Sequence, residues 1–444
     1  MNMDLTRIIV GLVVAVAGMI MLARLWKVHA FLSLLLASLV YGLINGKSLE
    51  NILESIQVGF GALIAHIGLL VVFGSILGML LEKSGSMQTI STSLLHGFGK
   101  RNSVTAITVI GAIVGIPVFC DSGFIILSRL IPSVAAKAAV NPASLSLGLA
   151  SGLYTTHTLV PPTPGPLAAA ANLGGANHIG LVMLIGIAAS VPVTVVAFLL
   201  AKKFGTKITS ALSEETVRLH HSTAPWKAFL PLILPIVLIA LASIPRIKTS
   251  ENVFFHIIET AGIPVIALVI GVVLALPMIP KSHRNELPGW MADAIKDAGT
   301  ILLIVGGGGA FGAVIKSSNV DAILKNYIAG SPMHGVAFLL LAFFLAAILK
   351  TAQGSTTSAM IISSSLLSPL AIGAGLESPL QVAALVIAVG GGAMTVSHVN
   401  DAYFWVISQF GKISSSDALR SYTVITLCQG VTALLVAIIL LLLA

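Results

Sequence analysis

Charged side chains are too scarce in this sequence for it to fold as a water-soluble protein. Lys, Arg, Asp and Glu make up 9 % of its 444 residues, against 57 % hydrophobic residues, whereas soluble chains carry roughly a quarter charged residues. The polar side chains cannot cover a globule of this size, and the mean hydropathy is +1.03. The composition predicts an all-α polytopic membrane protein surrounded by a lipid bilayer, in which helices satisfy their own backbone hydrogen bonds. The formal net charge of +8 fits basic cytoplasmic loops. No basic run is interleaved with aromatics, so nucleic acid is not an expected partner. Cys120 and Cys428 both lie in apolar stretches and no Cys/His spacing suits a metal, so neither a disulfide framework nor a cofactor is expected. Ala15-Val16-Ala17 resembles a signal-peptidase site, but the apolar run continues to Ala23, which reads as an uncleaved first helix.

A bilayer core of about 30 Å takes roughly 20 apolar helical residues. Fourteen apolar segments run along the chain, at 8–23, 30–44, 59–81, 104–119, 123–136, 145–160 and 179–200, then at 229–244, 263–279, 298–315, 336–349, 358–374, 382–394 and 422–443. The polar stretch 202–227 between the two sets reads as a cytoplasmic linker. A shift of 234 residues lays 47–84 on 281–318 without a gap. Ten of those 38 positions are identical, among them Lys47/Lys281, Ser48/Ser282, Asn51/Asn285 and Ser84/Ser318. The halves 1–201 and 228–444 therefore read as repeats. Basic loops at 24–27, 100–101, 202–207, 281–284 and 412–420 are placed in the cytoplasm, and 47–54 outside; Arg246 and Lys248 break that pattern.

The segments within 104–136 and 336–374 are short, at about 1.5 Å per residue, for a full crossing. They hold matching places in the two halves and join at Gly-bearing polar tips. Short interrupted segments of this kind point to a transporter's binding site, and both pairs read as re-entrant hairpins. Five crossings per half then invert the second repeat, giving ten transmembrane helices plus two hairpins.

The first tip contains Asp121, Ser122 and Gly123. A carboxylate at bilayer depth costs about 2.5–3.5 kcal/mol on insertion scales, so Asp121 reads as a proton or substrate group, a role compatible with its being the N-cap of a helix starting near Gly123. The second tip offers Gly354, Ser355, Thr356, Thr357 and Ser358 ahead of a helix, whose free N–H groups suit an anion; Ser363, Ser364 and Ser365 read as packing hydroxyls. Lys350, just before that tip, is a candidate cation for a carboxylate substrate; Arg129 is a similar case in the first hairpin, with pairing to Asp121 or to a loop as its alternative. Two further interruptions follow, His157-Thr158 before the prolines at 161, 162, 164 and 166, and Ser397-His398 with Asn400-Asp401. His157 and His398 read as matching positions able to titrate near neutrality, whereas His66 reads as structural. The glycines at 306–309 lack the setting of a nucleotide loop and read as close helix packing.

The stretch 115–129, the proline-rich run 155–172 and the segment 397–405 together resemble the gluconate permease family, gluconate:proton symporters of bacterial inner membranes within the wider ion-transporter superfamily. The resemblance covers essentially the whole chain. It implies uptake of gluconate, another aldonate, glycerate or D-serine, and a homodimer working by an elevator motion of hairpins and substrate past a fixed scaffold. The resulting expectation is proton symport of a small sugar-acid or hydroxy-acid anion, with Asp121, then Asp401, His157 and His398, as proton carriers. Sodium coupling, or a D-amino-acid substrate, is the second reading. A membrane enzyme would need a nucleophile–base set at one lipid–water face, which four matched interruptions do not supply.

Overall fold

The protein is described by a computed structural model covering residues 3–98, 102–208, 224–242, 253–318, 335–374, 376–398 and 401–444. Among these residues there are α-helices and short 3-10 turns and no strand. In chain order the helices are α1 (Met3–Leu25), α2 (Ala30–Ile44), α3 (Leu49–Lys83), α4 (Ser86–Phe98), α5 (Ser103–Val114), α6 (Cys120–Leu127), α7 (Ile131–Ala138), α8 (Pro142–Leu159), α9 (Pro164–Asn172) and α10 (Ile179–Gly205). They continue with α11 (Pro225–Ala242), α12 (Val253–Ala261), α13 (Pro264–Ala275), α14 (Leu287–Lys316), α15 (Val336–Gln353), α16 (Thr356–Gly373), α17 (Pro379–Met394), α18 (Ala402–Phe410) and α19 (Ser415–Leu442).

Helices α4, α9, α12 and α18 have no counterpart among the fourteen apolar segments, because each is shorter than a span. None of the described residues of α12 is buried, and its His256 and Glu259 pair at 3.6 Å one turn apart. Among the described residues, four helical stretches can each cross a membrane alone by length and composition: Ala176–Gly205, Pro225–Ala242, Lys281–Lys316 and Ser415–Leu442. Two bent pairs join them: α3, which turns by 46° between Ala65 and Gly68, and α12 with Pro264–Met278, which meet at 79°. Most of the linker, residues 209–223, and Lys100, Arg101, Arg246 and Lys248 lie outside the described residues.

Two groups of helices pack internally. In the first, α1, α2, α3 and α14 lie side by side, and α13 joins α3 to α11. The contact between α3 and α14 is backbone to backbone. A Cβ built on Gly309 would overlap the Gly59 carbonyl and come within 2.9 Å of Leu63 Cβ, so the close-packing reading of this glycine run holds. The two helices run antiparallel: Lys47 Nζ donates to the Ser317 carbonyl (2.6 Å) at one end, and Lys83 sits 5.6 Å from the Trp290 ring at the other. Gly309→Leu is expected to lower the melting midpoint of the detergent-purified protein by an amount equivalent to about 1–3 kcal/mol, the usual cost of forcing atoms into a filled contact. An unchanged midpoint would show that the helices separate freely there.

The second group is built around α8 and α17, which are buried along nearly their whole length. Small residues make that possible. On α17, Gly390 meets the Thr158 carbonyl of α8, Gly391 the Gly430 carbonyl of α19, and Gly392 the Phe343 carbonyl of α15. Three successive residues spaced about 100° apart thus admit three different neighbours. Near the start of α8, Asn141 Nδ2 donates to the Ile208 carbonyl just after α10 (2.9 Å), and Ser146 Oγ to the Gly411 carbonyl just before α19 (3.3 Å). Helices α10 and α19, which pack on each other, therefore also run in opposite directions.

Candidate functional site

Four breaks in this second group carry the polar chemistry. Between α5 and α6 the chain turns at 115–119. Helix α8 stops at Leu159 because the prolines that follow have no N–H and push the preceding residue out of the helical region; Val160 is extended at φ −121°, ψ 117°. Helices α15 and α16 are separated only by Gly354 and Ser355. Gly354 takes φ +75°, a left-handed conformation that strains a residue with a Cβ. Beyond α17, Thr395 is extended, and Asp401 caps α18 by accepting the Tyr403 N–H at 3.1 Å.

Where these breaks converge lies a buried ion pair, Lys350 with Asp401, 1 % and 5 % exposed. Lys350 Nζ donates to Asp401 Oδ2 at 2.6 Å and to the Gly354 carbonyl at 3.1 Å. Ser397 Oγ donates to the same carboxylate oxygen. Ser397 is held in turn by α19: its N–H donates to Thr426 Oγ1 (3.1 Å), and its carbonyl accepts from Thr423 Oγ1 (2.6 Å). The ammonium also lies 6.0 Å from the centre of the Tyr154 ring, within cation–π range. The Tyr154 hydroxyl pairs with Thr356 Oγ1 at 2.6 Å, tying α8 to the first residue of α16. Tyr154, Tyr403 and Tyr422 pack together with ring centres 5.6 to 6.2 Å apart.

Beside the pair, Asp121 Oδ1, Thr156 Oγ1 and His157 Nδ1 are buried without a hydrogen-bond partner. Asp121 stands in the first turn of α6, and Thr156 and His157 in the last turn of α8. The His157 ring is 5.9 Å from that of Phe119. Asp121 and His157 both feel the charges of Lys350 and Asp401. A narrow cleft lined by Pro117, Phe119, Pro162 and Pro164 runs between the α5–α6 turn and the α8–α9 break, with Ser75 of α3 on its wall. A larger cavity of about 230 Å³ reaches Phe119 and Ser122 from the side of Glu82, Lys83, Asp293 and Asp297.

The structure thus brings Asp121, His157, Lys350, Ser397 and Asp401 together, and several expectations change in detail. Helix α6 begins at Cys120 with Phe119 as N-cap, so Asp121 does not cap a helix starting near Gly123. The Gly123 N–H already donates to the Phe119 carbonyl (2.9 Å). Lys350 has two of its three donors on Asp401 and Gly354 rather than free for a substrate. Thr158 Oγ1 bonds back to the Tyr154 carbonyl (2.7 Å), and Ser355 Oγ accepts the Ser358 N–H (3.2 Å). Ser122 and Thr357 are half-buried. His157 and His398 do not match: His157 lies inside α8, and half-buried His398 four residues beyond the end of α17. Asn400 and the side chains of Arg129 and His66 lie outside what is described. Ser363, Ser364 and Ser365 bond back within α16, and the last two also accept from Asn172.

Sequence reasoning missed the tyrosines, Thr156 and Gln429, whose amide donates to the Ser151 carbonyl and Thr155 Oγ1 (3.0 and 2.7 Å). A signal existed: three of the chain's five tyrosines lie in or near the interrupted segments, and a phenol away from water needs a partner.

Comparison with known proteins gives the chain its relatives. The family model for GntP family permeases matches residues 7–443. The High-affinity gluconate transporter of Escherichia coli (strain K12) is 31 % identical over 447 residues, covering 96 % of this chain and 98 % of the relative. The Inner membrane permease YgbN of the same organism is 30 % identical over 451 residues, covering 96 % and 97 %. Among solved structures, the YdaH transporter of Alcanivorax borkumensis superposes with a TM-score of 0.62 at 17 % identity, over 86 % of each chain, a likeness of fold.

Proposed function

The chain belongs to the GntP permease family, and on that footing we propose that it is a proton symporter bringing a small sugar-acid anion of the gluconate class into the cell. It is a transporter of gluconate-like anions, a multi-pass protein of the inner membrane. The coupling is argued from one observation: the charges of the Lys350–Asp401 pair reach a carboxylate with an unpartnered oxygen, Asp121 Oδ1, and Thr156 Oγ1 and His157 Nδ1 in the last turn of α8 are likewise buried and unpartnered.

Because Lys350 is cancelled by Asp401, Asp121 is the unbalanced charge. A sugar-acid carboxylate entering about 5 Å from an ionised Asp121 would meet a repulsion of about 3 kcal/mol at an effective dielectric of 20. A proton on Asp121 removes that repulsion and turns the group into a hydrogen-bond donor, so anion and proton bind together. The first-turn N–H groups of α6 and α16 offer donors to the carboxylate, and His157 and Thr156 meet the hydroxyls. The site then comprises Asp121, Ser122, Thr156, His157, Thr356, Thr357 and Ser397.

The larger architecture belongs to the same proposal. Inverted repeats at 1–201 and 228–444 are supported by the antiparallel pairing of α3 with α14, the helices that the 234-residue shift superposes. Re-entrant hairpins at 104–136 and 336–374 leave five crossings per half, an odd number that would produce this inversion and give ten crossings in all. The helices α1–α3, α11, α13 and α14 would serve as the scaffold of a homodimer, and the α8/α17 group as the body that moves in an elevator cycle. With 281–284 placed in the cytoplasm, the cavity lined by Lys83 and Asp297 opens inward.

Reconstituted vesicles under an imposed pH gradient, offered gluconate, other aldonates, glycerate and D-serine, test the proposal. Accumulation of an aldonate, unchanged when choline replaces sodium and abolished by a protonophore, is expected; accumulation that follows sodium and ignores the protonophore would reverse the coupling. Ser122→Cys, on the inward cavity, is expected to react with a water-soluble maleimide faster than Thr356→Cys, which is buried against Tyr154, and gluconate is expected to slow it. Equal rates indifferent to gluconate would remove the α5–α6 turn from the site.

A further inference from the structure

The surroundings of the Lys350 ammonium have the chemistry of a site for a monovalent cation. A carboxylate oxygen of Asp401 lies at 2.6 Å and the Gly354 carbonyl at 3.1 Å, the Ser397 hydroxyl is bonded to that same carboxylate oxygen, and the Tyr154 ring faces the charge from 6.0 Å. Oxygen lone pairs and one compensating negative charge are what a hard cation such as sodium also requires, and in carriers with discontinuous helices such ions are held by unwound carbonyls. Here those oxygens come from the α15–α16 turn and from the break between α17 and α18, each fixed by its own bonds: Ser397 to α19, Asp401 to the first turn of α18, and Gly354 by its left-handed backbone.

We propose that Lys350 is a resident cation that fills this oxygen cage in place of a coupling sodium ion, so that it determines cation specificity and makes the carrier indifferent to sodium. The side chain holds the α15–α16 turn against the α17–α18 break permanently, a closure that a diffusible ion would make only when bound. A direct reading of the substrate by Lys350 is replaced by this role. The inference rests on the reading of these breaks as the transport site.

The test uses the full-length protein in detergent, without substrate or pH gradient, with the melting midpoint read in sodium chloride and in choline chloride at equal concentration. The wild type is expected to melt at the same temperature in both. Lys350→Ala empties the cage while leaving its oxygens, and sodium is expected to raise its midpoint saturably by about 2–5 °C over choline. The double variant Lys350→Ala/Asp401→Asn, lacking the negative charge, is expected to lose that response. A wild-type midpoint that rises with sodium, a Lys350→Ala midpoint indifferent to sodium, or a response kept by the double variant would each overturn the proposal. Should Lys350→Ala not be recovered folded, Lys350→Ser, which leaves a hydroxyl in the space, takes its place under the same criteria. Because no substrate is present, this result can fail while proton-driven uptake of an aldonate stands; the vesicle assay can fail on its substrate, with no aldonate accumulated, while the cage behaves as described, whereas sodium-driven accumulation by the wild type would overturn both.

Discussion

Asp121→Asn is expected to abolish uphill accumulation of the anion while leaving the protein folded. The side chains are nearly the same size, and Oδ1 has no partner to lose, so the substitution leaves no new cavity and breaks no bond at that atom. What disappears is the ability to carry a charge in one half of the cycle and a proton in the other. The variant should still exchange labelled for unlabelled gluconate across vesicles without a gradient, because a neutral amide imitates the protonated acid. It should not respond to an imposed pH gradient, and its exchange rate should vary less with pH than that of the wild type. Uphill uptake retained with the wild-type pH dependence would take Asp121 out of the coupling role and leave His157 to be examined next.

Asp401→Ala is expected to be the most damaging single change to the fold. It strips Lys350 of its counter-charge in a position 1 % exposed, removes the acceptor of the Ser397 hydroxyl, and leaves the Tyr403 N–H at the start of α18 without its cap. Breaking a buried ion pair on one side costs about 3–5 kcal/mol, and a lost N-cap about 1 kcal/mol more. Replacing both partners by neutral groups of similar volume should be far milder, because no uncompensated charge remains. The expectation for thermal unfolding in detergent is therefore a large fall for Asp401→Ala and a midpoint near the wild type for Lys350→Met/Asp401→Asn. If the single and double variants fell equally, the pair would owe its importance to packing rather than charge.

Much of the architecture is legible in local sequence because its causes are local. Prolines at 161 and 162 end α8 at the residue before Val160, since a missing N–H and a ring clash act within one turn. The helices α4, α9, α12 and α18 were not legible by the same route, because a criterion tuned to about 20 apolar residues passes over helices of 9 to 13. The start of α6 is a subtler case. Asp is favoured at an N-cap, yet Asp121 sits within the first turn, where a negative charge is also favourable, so composition alone fits both placements.

The site divides in the same way. That ionisable and hydroxyl groups interrupt apolar segments is visible in the chain, and bilayer energetics alone make Asp121, His157, Lys350 and Asp401 worth naming. Their partnerships are not visible. Lys350 and Asp401 are 51 residues apart, Tyr154 and Thr356 are separated by 202, and Asn172 reaches Ser364 and Ser365 across 192 and 193. A sequence lists which side chains are too costly to bury alone, so the scarcity of charge determined that this protein lives in a bilayer and the prolines and glycines determined where its helices break. Which buried lysine cancels which carboxylate, and hence which acid is left over, depends on the approach of helices distant in the chain, since only there does the low dielectric make the choice of partner decisive.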